Sequence, residues 1–290
     1  MVSEERAAVA MSEARIDHVG FVVSNLERSQ RWYAEVLNVV PGTPFEVAGT
    51  PLRASFASLG NAEIEFIEHR EGSGDPFGLR NCDAGAFHFC VHVPDVRAAY
   101  AQLEAVNGVG TTPPMELIPD VFSFYLRDPD GMMIQVMQMG EGTGGQVGAR
   151  FGDGLHHHAF TVRDLDRSLE WYRRVLTLSS GVPSTREGEI PSRTLEVPDS
   201  VFRQAMVPLG PSFIEIMEWI EPKGKPFELG LEDVGCAHLC VEVPDVVRLH
   251  DRLVREAEQI QKPLSALADG RRTFFLADPD GLNVQITGAA

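Results

Sequence analysis

Eight side chains able to bind a divalent cation recur in register along this 290-residue chain. His18, Glu65, His88 and Gln135 stand in the first half, and His157, Glu215, His238 and Gln285 in the second. Each has a repeated setting: Asp17-His18-Val19-Gly20-Phe21 matches His156-His157-His158-Ala159-Phe160, and Ile64-Glu65-Phe66 matches Ile214-Glu215-Ile216. Phe87-His88-Phe89-Cys90 likewise matches Ala237-His238-Leu239-Cys240, and Asp-Pro-Asp-Gly precedes both Met133-Ile134-Gln135-Val136 and Asn283-Val284-Gln285-Ile286. The offset is 139 residues from His18 to His157 and 150 from Glu65, His88 and Gln135. Two imidazoles, a carboxylate and an amide oxygen suit Zn²⁺, Ni²⁺, Co²⁺, Mn²⁺ or Fe²⁺; the nitrogen content argues against Mg²⁺ and Ca²⁺. A lone strand histidine is more often a satisfied polar residue than a ligand. Four matched positions in two copies reverse that, and a buried glutamate without a cation is costly. The repeat shows shared ancestry, which does not by itself require both copies to be active.

Positioning these groups requires strands. Ile16–Val23, Ala54–Leu59, Glu63–Glu68, Ala86–Val93, Val121–Arg127 and Met132–Gln138 read as strands. Alternation puts His18 with Gly20 and Val22, Glu65 with Glu63 and Ile67, His88 with Cys90, and Gln135 with Met133 and Met137. The opposite parity is apolar and must meet helices, so the polar set would converge on a concave face. Ser24-Asn25-Leu26-Glu27 reads as a capping box before a helix through Leu26, Trp32, Tyr33 and Leu37. Further helices are expected from Pro94-Asp95 to Val106 and over Leu165–Leu176 and Val246–Glu258, with Asp95 and Asp245 as N-caps. The two Asp-Pro-Asp-Gly stretches read as hairpin turns.

The balance of the chain narrows its class. A net charge of −17 opposes nucleic acid and anionic membranes. No run of 18 apolar residues offers a membrane span. Cys82, Cys90, Cys236 and Cys240 read as reduced thiols of a cytoplasmic protein, with Cys90 and Cys240 as buried strand residues. The expected division is a flexible tail over 1–14, a module over 15–139, a Gly-rich linker over 140–153 and a second module over 154–290.

Taken together, these motifs resemble the vicinal oxygen chelate superfamily of glyoxalases, bleomycin resistance proteins and extradiol dioxygenases, over about Arg15 to Thr287. The resemblance implies an α+β fold of four βαβββ units in two tandem modules, each forming a cupped mixed sheet around a metal site. It also implies the ligand set His18, Glu65, His88 and Gln135 with His157, Glu215, His238 and Gln285. Whether each quartet closes within its module or exchanges pairs with the other stays open at this level. The pattern departs from ring-cleaving dioxygenases, which need glutamate on the final strand, and from glyoxalase I, which commonly has glutamate at both carboxylate sites. Methylmalonyl-CoA epimerase is similar in ligand inventory.

The expectation is therefore a metal-dependent epimerase or isomerase with Zn, Ni, Co or Mn. Glu65 and Glu215 serve as ligands and as bases that remove a proton beside a polarised carbonyl. The expected partner is a small oxygenated molecule such as a keto-cyclitol or keto-sugar, handled by a monomer or a homodimer. The alternatives are an Fe²⁺ ring-cleaving dioxygenase and a metal-free drug-binding protein. His92, Glu242, His156, His158, Cys90 and Cys240 are expected to be ordinary strand or cavity residues, and Glu63 has no counterpart because Phe213 takes its place.

Overall fold

The computed structural model describes residues 13–47, 49–71, 77–106, 110, 112–140, 154–230 and 232–289. The expected tail and linker lie almost wholly outside the described residues. Four units follow one another. The first contains β1 (Arg15–Val22), α1 (Leu26–Leu37), β2 (Phe45–Glu46), β3 (Leu52–Ser58) and β4 (Glu63–His69). The second contains β5 (Phe87–His92), α2 (Val96–Ala105), β6 (Met115–Ile118), β7 (Val121–Arg127) and β8 (Met133–Met139). The third has β9 (Leu155–Val162), α3 (Leu165–Leu176), β10 (Ser184–Glu187), α4 (Glu189–Thr194), β11 (Val201–Leu209) and β12 (Ser212–Glu221). The fourth has β13 (Ala237–Val243), α5 (Val246–Arg255), β14 (Ile260–Ala266), β15 (Arg272–Ala277) and β16 (Asn283–Gly288).

The class is α+β and the strands form two eight-stranded mixed sheets, each drawn from both halves of the chain. One runs β14-β15-β16-β13-β1-β4-β3-β2 and joins the first unit to the fourth. The other runs β10-β11-β12-β9-β5-β8-β7-β6 and joins the third unit to the second. Of the two pairings left open by the sequence, closure within a module or exchange between modules, the strand order is the exchanged one. The seams are antiparallel, β1 on β13 and β5 on β9. The two βαβββ units of one module share no strand pairing, and the open edge of each first strand is completed by the other module.

Those faces make one core. Phe21 of the first sheet lies 5.6 Å, ring to ring, from Phe87 of the second, and Tyr33 of α1 packs on both Phe66 and Phe89. The N-caps explain the helix starts. Asn25 accepts from the Arg28 amide, Asp95 from those of Arg97 and Ala98, and Asp245 from that of Arg248. Asn25, rather than the Ser24 of the expected capping box, caps α1. Ser24 instead donates to Asp130. Helix α5 stops at Arg255, short of Glu258, because Ala257 takes a positive φ of 57°.

The Asp-Pro-Asp-Gly turns do more than reverse the chain. The first aspartate accepts from the amides two and four residues on, Asp128 from Asp130 and Met132, and Asp278 from Asp280 and Leu282. The second reaches the sister unit of its own module. Asp130 accepts from the Ser24 amide at 3.0 Å and pairs with Arg28, while Asp280 accepts from the Arg163 amide at 2.8 Å and pairs with Arg167. Among the described residues, no helix is long and apolar enough to cross a membrane.

Candidate metal centres

The exchange of strands brings the predicted side chains together in crossed pairs. In the first centre, His18 of β1 and Glu65 of β4 meet His238 of β13 and Gln285 of β16. His18 Nε2 stands 3.1 Å from His238 Nε2, 3.1 Å from Gln285 Oε1 and 3.4 Å from Glu65 Oε2, and His238 Nε2 is 3.3 Å from that same oxygen. In the second centre, His157 of β9 and Glu215 of β12 meet His88 of β5 and Gln135 of β8. His157 Nε2 is 3.2 Å from Glu215 Oε2 and 3.3 Å from His88 Nε2, which is 3.8 Å from the glutamate. All eight residues are buried or nearly so.

The donor set fits a divalent cation. Atoms bound at about 2.1 Å to one ion stand roughly 3.0–3.4 Å from each other in octahedral or tetrahedral arrangements. Lone-pair atoms packed this closely repel unless a positive charge lies among them. Burial alone would raise Glu65, yet hydrogen bonds from His18 and His238 hold it well below the usual carboxylate range. Glu215 is likewise lowered to about 2, His157 outweighing the burial. Burial and the facing His157 push His88 down to about 4. His18 is raised, burial being outweighed by Cys240 and Asp17 beside it.

Hydroxyls decide which way each amide points. Thr273 Oγ1 donates to the Ile286 carbonyl and therefore accepts from Gln285 Nε2 at 3.0 Å, leaving Oε1 toward His18. Ser123 repeats this with the Val136 carbonyl and Gln135 Nε2 at 3.1 Å. Local backbone choices serve the same end. A Cβ on Gly20 would lie 2.0 Å from His238 Cε1, so only glycine lets that ring cross the neighbouring strand. Irregularities in the seam ladders, between Ile16 and His18 and between Cys90 and Val91, put an extra residue just before each first-strand histidine.

That extra residue was missed by sequence reasoning. Asp17 Oδ2 lies 2.8 Å from His18 Nδ1, and Asp17 in turn accepts from Arg271 at 2.9 Å. In the second centre its place is taken by His156, whose Nδ1 is 2.8 Å from His157 Nδ1. His156 is thus no ordinary strand residue, and burial lowers it to about 3, keeping it neutral. Ser123 and Thr273 were missed too, although they share the 150-residue offset. The other expectations of ordinary roles hold: His158 packs between Phe87 and Phe160 in the core, His92 accepts from the Met139 amide, and Glu242 pairs with Arg15. Cys90 and Cys240 line the centres as buried thiols whose pKa burial pushes up.

Comparison with known proteins agrees with this architecture. Residues 17–115 and 154–286 each match a model of the glyoxalase/bleomycin resistance protein/dioxygenase superfamily. The chain belongs to that superfamily. It is 30% identical over 93 residues to mitochondrial methylmalonyl-CoA epimerase of Bos taurus, a match covering 31% of this chain and 53% of that protein. The chain thus spans about half the length of that relative. Identity to lactoylglutathione lyase of Pseudomonas aeruginosa is 31% over 151 residues, 47% of this chain and 82% of that one. In structure, glyoxalase I from Zea mays superposes with a TM-score of 0.71 at 17% identity, covering 95% of this chain and 92% of its own. A putative dioxygenase from Bacillus subtilis gives 0.65 at 15%, covering 94% and 84%. These structures share the fold.

Proposed function

We propose that the protein is a metal-dependent epimerase or isomerase acting on a small oxygenated substrate with a carbonyl beside an acidic C–H, such as a keto-sugar or keto-cyclitol. The observation that carries this reading is the convergence of two imidazoles, one carboxylate and one oriented amide oxygen on a single point, twice. His18, Glu65, His238 and Gln285 hold one ion, and His157, Glu215, His88 and Gln135 the other; Zn, Ni, Co or Mn suits both sets. A bound ion supplies Lewis acidity, which polarises the substrate carbonyl and lowers the pKa of the neighbouring C–H.

The chain's own groups do the rest. Glu65, and Glu215 in the other centre, is ionised at neutral pH and is the carboxylate placed to take the proton. Because Glu65 Oε2 faces both imidazoles, proton transfer falls to Oε1. Gln285 and Gln135 cannot accept a proton and serve only to bind and orient. Phe56 and Phe275 flank His18 and His238 edge-on and hold the two rings in place. The epimerase and lyase relatives support this class of chemistry.

Elemental analysis of untagged protein tests the reading, followed by solvent-deuterium exchange into candidate ketones. One or two equivalents of zinc, nickel, cobalt or manganese per chain are expected, with exchange abolished when Glu65→Gln and Glu215→Gln are combined. Iron lost in air, with oxygen uptake on catechols, would point to a ring-cleaving dioxygenase. Failure to bind metal even after reconstitution would leave a binding protein.

A further inference from the structure

The two centres match in ligands but differ in the space around them. Between the matched positions Leu176 and Phe202 the third unit carries eleven more residues than the first unit does between Leu37 and Leu52, which is why the repeat offset grows from 139 to 150. The longer connection contains β10 and α4 and then crosses the mouth of the second sheet. Asn81, ahead of β5, donates to the Leu195 carbonyl at 2.5 Å, and Arg127 of β7 pairs with Glu196, so the segment is pinned to the opposite flank. Leu195 and Val197 then pack with Tyr125, Met133, Phe202, Met217 and Trp219 into one buried apolar cluster beside Glu215, Gln135 and His88.

Counterparts in the first sheet, at the 150-residue offset, tell the opposite story. Leu52, Ile67, His69 and Phe275 stand where Phe202, Met217, Trp219 and Tyr125 do, and all four remain partly exposed. Asn283 replaces Met133. Among the described residues, no hydrogen bond or ion pair ties the shorter 38–51 connection to β15 or β16. The flank of the cup beside His18 and Glu65 is thus partly exposed and mixed in polarity, whereas the same flank beside Glu215 is covered by the protein's own apolar side chains.

Resting on the metal-dependent reading above, we infer that the centres divide the work. The centre of His18, Glu65, His238 and Gln285 admits substrate, and that of His157, Glu215, His88 and Gln135 holds its ion as part of the structure. Glu65 is then the base that turns over, and Glu215 a ligand only. A cup covered on that flank leaves an ion its protein ligands but no room for a second, substrate-derived pair of oxygens.

Cobalt spectroscopy tests this without reference to activity. His88→Ala leaves the first centre loaded and His238→Ala the second; His157→Ala and Gly20→Ala are the substitutes if either fails to fold. Acetohydroxamate, a small ligand offering two oxygens, is then titrated into each cobalt-loaded protein. The visible band of the first should shift at saturation and that of the second should not. Adding Leu195→Ala and Val197→Ala to the second should open the cup and produce the shift. Equal shifts in both single variants, or a shift only in the second, would overturn the division while leaving the metal reading intact. No cobalt in the wild-type protein would remove the metal reading itself, and this inference with it.

Discussion

Asp17 stands behind the imidazole of His18, and Thr273 behind the amide of Gln285, so residues one step removed would set the quality of the proposed ligands. Asp17→Asn keeps the shape of the contact and removes its charge. Metal affinity of the first centre should fall about 10–100-fold, while the second centre, backed by neutral His156, should not change. Competition with a chromophoric chelator measures both. Thr273→Val keeps the volume and removes the acceptor that fixes the amide, which frees Gln285 to present nitrogen instead of oxygen. A loss in the same range, about tenfold or more, is expected at the first centre. An unchanged affinity in Thr273→Val would mean that Gln285 binds no ion.

At the scale of elements, the Asp-Pro-Asp-Gly turns tie the two units of each module together, and their first aspartates are buried enough to titrate oddly. Desolvation raises Asp278 to about 7 despite two backbone amides donating to it, and its Oδ2 has no partner among the described residues. A carboxyl raised in the folded state contributes stability that is complete below its unfolded pKa of about 4 and is lost as pH rises through about 7. Asp278→Asn keeps the acceptor and carries no charge. Relative to wild type it should gain stability between pH 5 and pH 8, by about 1–3 kcal/mol at the upper end. Denaturant unfolding across that range checks the sign; a growing deficit of the variant at high pH would contradict it. Asp128, also raised to about 7, is offered the hydroxyl of Tyr33 at 3.1 Å, so Asp128→Asn has less to gain.

Seen whole, the molecule is two sheets that each span both halves of the chain, with one apolar core between them. Neither half can unfold without splitting both seams, β1 from β13 and β5 from β9. Calorimetry of the full chain should therefore show a single transition, with calorimetric and van't Hoff enthalpies in agreement. Two separable peaks would mean that each half carries its own stability. The same crossing makes every centre depend on both halves, because His18 and Glu65 sit on one side of a seam and His238 and Gln285 on the other.

Much of this was legible in the chain itself. Period-two alternation placed His18, Glu65, His88 and Gln135 on one face, and recurrence at matching positions separated them from chance polar residues. The eight ligand candidates and the four-unit plan are local or repeated properties, which a linear reading captures. Pairing of the quartets was not legible, because the strand edges of β1 and β9 are chemically alike and either partner satisfies the same hydrogen bonds. Asp17 was hidden by a ladder irregularity, since alternation alone sends the neighbour of His18 to the opposite face. The eleven-residue jump in offset was visible, but not its consequence: only the folded chain shows that the longer segment crosses one sheet and covers its flank with Leu195 and Val197.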